Sequence, residues 1–168
     1  MSIDPDFYKN LFNALSEQAK PRRPHPLGWG GSEELMGLMK KLLEEASARH
    51  IFIIEKTGKE SASYGDLGHI DISDLIALVV GKMLVCNALA EIVNGRPFET
   101  LSTEGKRWGI HFSMLDQNTI LMVVFDHQTN IDRVGQRVKR ARASLAAAIA
   151  AAKEERENQK DTKTQRIF

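Results

Sequence analysis

Cysteine and excess charge are the features that this 168-residue sequence most clearly lacks. Its one cysteine, Cys86, excludes an intramolecular disulfide and favours a reducing compartment such as the cytoplasm. The net charge of +1 gives no general attraction to nucleic acid or to a membrane surface. The first residues are acidic and polar, unlike a secretory signal. We therefore expect a cytoplasmic protein that does not bind nucleic acid.

Long apolar runs are also scarce. The longest covers residues 75–90, and Gly81, Lys82 and Asn87 interrupt it. A helix that crosses a membrane needs about 20 predominantly apolar residues. The sequence thus predicts no membrane span. A hydrophobic content of 42% in a chain of this length is nevertheless enough to form a core without disulfides or metals.

Signals for catalysis, metals and cofactors are weak. The five histidines have no metal-ligand spacing with one another or with Cys86. The sequence TGKES, which begins at Thr57, lacks the upstream glycine of a phosphate-binding loop and is better explained as a hairpin turn. The adjacent Asp126 and His127 fit a turn better than a catalytic pair. We expect no active site, no metal and no cofactor.

Local patterns divide the chain into three parts. Residues 1–31 combine a short amphipathic helix with a basic linker rich in Pro and Gly. Residues 32–153 carry the periodic apolar patterns of a folded domain. Residues 154–168 are polar and have no core-forming pattern, which predicts a flexible tail. The apolar residues on one side of the first helix are Phe7, Leu11, Phe12 and Leu15.

The folded part is predicted to be α+β, with the element order α-β-β-α-β-β-β-α. Strands 51–54 and 120–125 are continuously apolar, so we place them in the middle of a sheet that helices cover on both faces. Strands 59–64 and 98–103 are partly polar, as edge strands often are. Hairpin connections then give an antiparallel sheet with the strand order 2-1-5-4-3. The other predicted elements are strand 108–114 and helices 32–46, 71–93 and 130–153.

Three stretches resemble the roadblock (dynein light chain) family, and within it the bacterial members that regulate a small Ras-like GTPase. They are IFIIEKTGKESASYG, LIALVVGKMLVCNALAEIVNG and ILMVVFDHQTNIDRVGQRVKRA. The family fold is a five-stranded antiparallel sheet with one helix on one face and two on the other. Its members form homodimers by joining edge strands, and their paired middle helices form a platform for the GTPase. The resemblance implies a homodimeric regulator of a Ras-like GTPase, in bacterial polarity or motility, without an active site of its own.

The middle helix has two apolar faces, which is more than a helix covering one sheet requires. We expect one face to pack on the sheet, and this face carries Leu78, Gly81, Val85, Ala88, Leu89 and Ile92. The opposite face is then available to bind a partner. Its predicted partner-binding residues are Ile76, Val80, Met83 and Asn87. Alternatively, the first helix folds back and covers that face.

The predicted dimer contact is the edge strand 98–103, through Phe98, Thr100 and Ser102. An edge strand leaves N–H and C=O groups unpaired, and a second copy can satisfy them. Because the resembling proteins reposition catalytic residues of the GTPase itself, no arginine is assigned to catalysis. Arg107, at the tip of a predicted hairpin, is the one arginine worth testing.

The sequence is also compatible with other functions. The protein could be a scaffold that bridges larger assemblies without changing GTP hydrolysis. It could also be a small-molecule sensor, because helix-covered antiparallel sheets also hold ligands. The last helix is rich in basic residues and could dock an acidic partner, although a solvated face explains the same pattern. Those residues are Arg133, Arg137, Lys139, Arg140 and Arg142.

Overall fold

The structure is a computed structural model that describes residues 32–68, 71–96 and 98–165. The amphipathic helix and linker predicted for residues 1–31 lie outside the described residues. Three helices and five strands follow the predicted order. The helices are α1 (Glu33–Ala46), α2 (Ile72–Asn94) and α3 (Ile131–Gln165). The strands are β1 (His50–Glu55), β2 (Glu60–Gly65), β3 (Thr100–Glu104), β4 (Trp108–Met114) and β5 (Thr119–Asp126).

The five strands form one antiparallel sheet in the order β2-β1-β5-β4-β3, which confirms the predicted topology. Every residue of the central strand β5 is buried. Such a strand must be covered on both faces, and its continuous apolar sequence reflects this. The edge strand β2 mixes buried and exposed positions, and β3 alternates exposed and half-buried ones. Helices α1 and α3 pack together on one face of the sheet, and α2 covers the other.

Local signals in the sequence set the ends of these elements. The side chain of Ser32 caps α1 by accepting a hydrogen bond from the backbone N–H of Leu35 at 3.3 Å. A carboxylate oxygen of Asp71 accepts one from the N–H of Asp74 at 3.2 Å, at the start of α2. The TGKES turn is a hairpin turn, as predicted. Gly58 adopts φ +84° there, a value that glycine tolerates and other residues rarely adopt.

Helix α2 is turned about its axis relative to the sequence prediction. Ile76, Val80 and Met83 are buried, and they pack against the sheet with Phe52, Phe112 and Met122 among the core residues on that side. The face that we expected on the sheet is instead exposed at every predicted position except Gly81. The prediction that Ile76, Val80 and Met83 point outward is therefore wrong.

Helix α3 is longer than predicted. Up to Lys160, its last buried residue is Ala152, close to the predicted end at Lys153, but the helix continues to Gln165. The prediction of a flexible tail is therefore wrong for residues 154–165. A helix that packing has already nucleated needs only one hydrogen bond per added residue to continue. The extension is rich in Glu, Lys, Arg and Gln, which are good helix formers, so it needs no apolar face.

Candidate partner-binding surface

The outward side of α2 carries a row of exposed large apolar residues. Four of them form a line along the helix, here called the α2 stripe: Leu78, Val85, Leu89 and Ile92. Their spacing of seven, four and three residues keeps them on one side of an α-helix. Leu89 is 54% exposed and Ile92 is 82% exposed. Leu84 and Val93 extend the same apolar surface around the helix. A contiguous exposed patch of this kind marks an interaction site.

The apolarity of α2 has a second consequence. Residues Asp74–Val93 have a mean hydropathy of 2.0 and are long and apolar enough to cross a membrane, contrary to the length argument from the sequence. One such helix is weak evidence for a membrane span, because core helices have the same composition. About one third of that stretch is buried inside the protein (33%). Packing on one side and the α2 stripe on the other together account for a helix that has large apolar residues on both sides.

The edge strand β3 pairs with β4 on one side only. The N–H of Met114 donates to the carbonyl of Glu99, and the N–H of Gly105 donates to that of Trp108. Antiparallel pairing alternates along a strand, so Thr100, Ser102 and Glu104 direct their N–H and C=O groups away from β4. No described strand pairs with that edge.

The apolar surface continues from α2 towards this edge. Leu101 on β3 and Ile110 on β4 are half-buried and pack against the core beneath α2. The open edge and the α2 stripe therefore border the same side of the sheet. Of the predicted dimer residues, Thr100 and Ser102 lie on β3, whereas Phe98 precedes the strand and is half-buried.

Asn87 differs from the other three predicted partner-binding residues because it is only half-buried. Its Oδ1 atom has no hydrogen-bond partner among the described residues. It lines a crevice of about 10 Å³ between α2 and the sheet, beside Lys56 and Met114. That volume holds about one water molecule, whereas ligand pockets measure roughly 300–1,000 Å³. The crevice gives no support to the small-molecule sensor alternative.

A second groove lies between α1 and β2, and it is open to solvent. Arg49, Tyr64 and Asp66 are among its lining residues. Nearby, Arg49 Nε and Nη2 both lie 2.6 Å from Asp126 Oδ2. This hydrogen bond lowers the pKa of the Asp126 carboxyl group. Asp126 also accepts from the N–H of Gln128, so it organises the turn after β5, as the sequence suggested.

Three further features of the described residues bear on the predicted chemistry. No group of three or more His, Cys, Asp or Glu side chains is placed to hold a metal ion within residues 32–68, 71–96 and 98–165. Cys86 is half-buried on α2. Arg107 is exposed in the β3–β4 turn, and its carbonyl accepts from the N–H of His127 at 3.1 Å.

Two buried histidines were not singled out by the sequence. Burial lowers the pKa of His50, and nearby Asp66 offsets part of that effect. Burial also lowers the pKa of His111. The His50 ring stacks on Phe52 at a centroid distance of 4.1 Å. Neither nitrogen of His50, nor Nε2 of His111, has a hydrogen-bond partner in the described part of the chain.

These histidines predict that acid destabilises the protein. Both folded pKa values lie below the ordinary 6.5, so below that pH the unfolded chain binds protons that the folded chain does not. We expect the melting temperature to fall as the pH decreases from neutral to about 5. The variant His50→Phe keeps an aromatic ring on Phe52 and should show a smaller decrease. Equal pH dependence in the variant would contradict this role for His50.

No family model and no curated protein matches the chain. Solved structures do match. One is an MglB with a tetrameric arrangement, 25% identical with a TM-score of 0.66, covering 71% of this chain and 90% of that one. The gliding protein MglB from Thermus thermophilus is 26% identical with a TM-score of 0.64, covering 69% and 88%.

This chain has a roadblock-like fold and is similar to MglB. A roadblock/LC7 domain from Streptomyces avermitilis shares the fold at 17% identity and a TM-score of 0.57, covering 68% of this chain and 96% of that one. The likeness confirms the family resemblance carried by the three sequence stretches.

Proposed function

We propose that the protein is a homodimeric regulator of a small Ras-like GTPase in a bacterial cytoplasm, with a role in cell polarity or motility. The observation that carries this proposal is the exposed α2 stripe on a chain that resembles MglB. A soluble monomer would gain nothing from exposing Leu78, Leu89 and Ile92 together, whereas a partner surface would bury them. The partner surface is thus the α2 stripe rather than Ile76, Val80 and Met83.

The proposed dimer joins two β3 edges and brings the two α2 helices side by side. The outward N–H and C=O groups of Thr100, Ser102 and Glu104 would pair with those of a second copy. Apolar residues of α2 and half-buried Leu101 would meet across the same twofold axis. Two α2 helices together then present one broad apolar platform to the GTPase.

Binding to this platform would act by positioning the GTPase's own residues, and the regulator itself would supply no catalytic group. The α2 stripe contains no arginine and no group that could transfer a proton. Regulation would therefore consist of holding the GTPase in its GTP-bound conformation or of shifting its own residues into place. The exposed Arg107 is the arginine whose removal tests the alternative. If Arg107→Ala slows stimulated hydrolysis without weakening binding, the protein supplies a charge after all.

The scaffold alternative keeps the same surface and omits the effect on hydrolysis. The size of the side chains on the α2 stripe favours it, because bulky apolar residues suit a permanent assembly more than a cycle of binding and release. Capture from bacterial cell extract tests both. Immobilised protein should retain a Ras-like GTPase more strongly with GTP than with GDP. Equal retention with both nucleotides would favour the scaffold, and no retained GTPase would contradict the proposal.

A proline on the open edge should weaken the dimer. Thr100→Pro removes an N–H that points away from β4, so the sheet of each subunit loses no hydrogen bond of its own. We expect dimerisation to weaken by about 5-fold to 100-fold, as the loss of hydrogen bonds at an interface would produce. Sedimentation equilibrium measures it.

Thr103→Pro is the matched control for this change. The N–H of Thr103 lies on the side that pairs with β4, so its loss should lower the melting temperature of the subunit itself. If Thr100→Pro leaves the dimer unchanged, the β3 edge is not the subunit contact.

A further inference from the structure

The solvent-facing side of α3 carries a charge pattern that the proposed GTPase platform does not use. Stepping 100° per residue places this side opposite the buried Val138, Leu145 and Ile149. We call it the α3 outer face. Between Lys139 and Glu155, its exposed residues are Lys139, Arg140, Ala143, Ser144, Ala147, Ala150, Ala151, Glu154 and Glu155.

The charges of the α3 outer face are arranged symmetrically, with opposite sign, about Ala147. Arg140 precedes Ala147 by seven residues, and Glu154 follows it by seven. Lys139 precedes it by eight, and Glu155 follows it by eight. Between the charges lie only alanines and one serine on this face. An antiparallel copy of the same helix therefore presents an acid to each base and a small residue to each small residue.

We propose that two copies of the protein pair through their α3 outer faces, antiparallel, with a twofold axis at Ala147. Arg140 and Lys139 of one copy then lie opposite Glu154 and Glu155 of the other. At seven residues from the axis, each Arg140–Glu154 pair lies about 10 Å along the helix from the centre. The small side chains in between allow the helix axes to approach to about 9–10 Å.

Ion pairs within the chain are consistent with this assignment. Arg137 and Arg142, on the flanks of α3, reach Glu45 at 4.0 Å and Glu99 at 3.0 Å. Among the described residues, no ion pair involves Lys139 or Arg140. Carboxylates of the same chain therefore pair with Arg137 and Arg142, whereas Lys139 and Arg140 are the cations that the carboxylates of a second copy would neutralise.

The proposal also gives a role to the extension of α3 past the core. From Lys153 to Lys160, no residue is buried, and Arg156 is the one residue after Lys153 in this range that is half-buried. In the antiparallel pair this extension would lie along the first half of the other α3, where the basic residues are.

This interface is independent of the proposed GTPase platform. Helix α3 lies with α1 on one face of the sheet, and the α2 stripe is on the other side of the molecule. A subunit with two self-complementary interfaces can close into a tetramer with twofold axes. Because exposed ion pairs are weak and screened by salt, the α3 pairing should be weak and favoured at low ionic strength.

Disulfide crosslinking tests the pairing directly in the full-length protein. Ala147→Cys, in a Cys86→Ser background, places two thiols at the proposed twofold axis, within the range of Cα separations that a disulfide spans. Gln136→Cys is the control, since it is equally exposed on the same helix but would lie about 33 Å from its copy along the axis. We expect rapid covalent dimers from Ala147→Cys only, and more of them at low salt.

A charge exchange identifies what holds the pair together. Arg140→Glu should reduce crosslinking through Ala147→Cys about tenfold, because it replaces two attractions by two repulsions at each pair of helices. Adding Glu154→Arg should restore it, since the complementary pattern is then reversed but intact. Crosslinking no faster than in the control would overturn the proposal. So would crosslinking that appears only after residues 1–31 are removed, which would assign this face to the N-terminal segment.

Discussion

Met83→Glu should unfold the protein or lower its melting temperature severely. Met83 is 3% exposed and packs between α2 and the sheet with Val80 and Ile120 in the same core cluster. The variant loses the packing of the thioether side chain and buries a carboxylate among apolar side chains. Such a change costs about 3–5 kcal/mol, a large part of the roughly 5–15 kcal/mol that stabilises a typical domain. Thermal unfolding followed by circular dichroism measures the effect.

The matched control is Leu89→Glu, which introduces the same charge six residues later on the exposed side of the same helix. Leu89 is 54% exposed, so the new carboxylate stays hydrated and the melting temperature of the subunit should change little. The opposite result, with a stable Met83→Glu and an unfolded Leu89→Glu, would show that α2 has the orientation first expected from the sequence.

Leu89→Glu should also remove the interactions of the folded protein. In the proposed dimer and its complex with the GTPase, Leu89 lies at the centre of the α2 stripe. A carboxylate there would have to lose its water on binding, with no compensating partner on an apolar surface. Central apolar anchors contribute about 2 kcal/mol or more, so we expect affinity to fall at least about 30-fold. Sedimentation reports the dimer, and capture from extract reports the GTPase.

Measuring dimerisation and GTPase capture together shows which of the two contacts Leu89 makes. Loss of the dimer with loss of GTPase binding means that the platform requires both helices. A dimer that persists without GTPase binding means that Leu89 contacts the partner alone. Lys82→Glu is a suitable control, because Lys82 is exposed at the border of the stripe and is already charged. If Leu89→Glu binds both partners as well as the unchanged protein does, the α2 stripe is not the interaction surface.

The sheet could be predicted from the sequence because its strands differ in polarity. Continuous apolar sequence in β1 and β5 indicated central strands, and the partly polar β2 and β3 indicated edges. Strand ends were less certain, since the pattern of 98–103 includes Phe98 although β3 begins at Thr100. Hairpin turns then left one strand order, which the structure confirms.

The orientation of α2 could not be decided from its apolar residues alone. The helix is apolar on both sides, so apolar periodicity fits two orientations equally well. Its charged residues carried the missing signal. Asp74 and Lys82 fall on the same side as Val85 when the helix is stepped at 100° per residue, and both are exposed. Charges mark the solvent side of a helix, and they would have placed the stripe correctly.

The length of α3 was missed for a related reason. A pattern of apolar residues predicts where a helix packs, and the core side of α3 ends at Ala152. It does not predict where a helix ends once packing has formed it, because good helix formers continue the hydrogen-bonded chain without burial. Residues 154–165 contain neither glycine nor proline to stop it. Glu154 and Glu155 lie beyond the predicted end of this helix. The symmetry of charges about Ala147 therefore exists only when the helix continues past Lys153.

A photo-crosslinking amino acid at position 92 tests most directly whether the α2 stripe binds a Ras-like GTPase. Ile92 is the most exposed member of the stripe, at 82%, so the substitution should leave the fold intact. Irradiation in cell extract should give a covalent adduct with a Ras-like GTPase, stronger with GTP than with GDP, and the same group at Lys139 on α3 should give none. A GTPase adduct from position 139 but not from position 92, or adducts from position 92 to a second copy of the chain alone, would contradict the account.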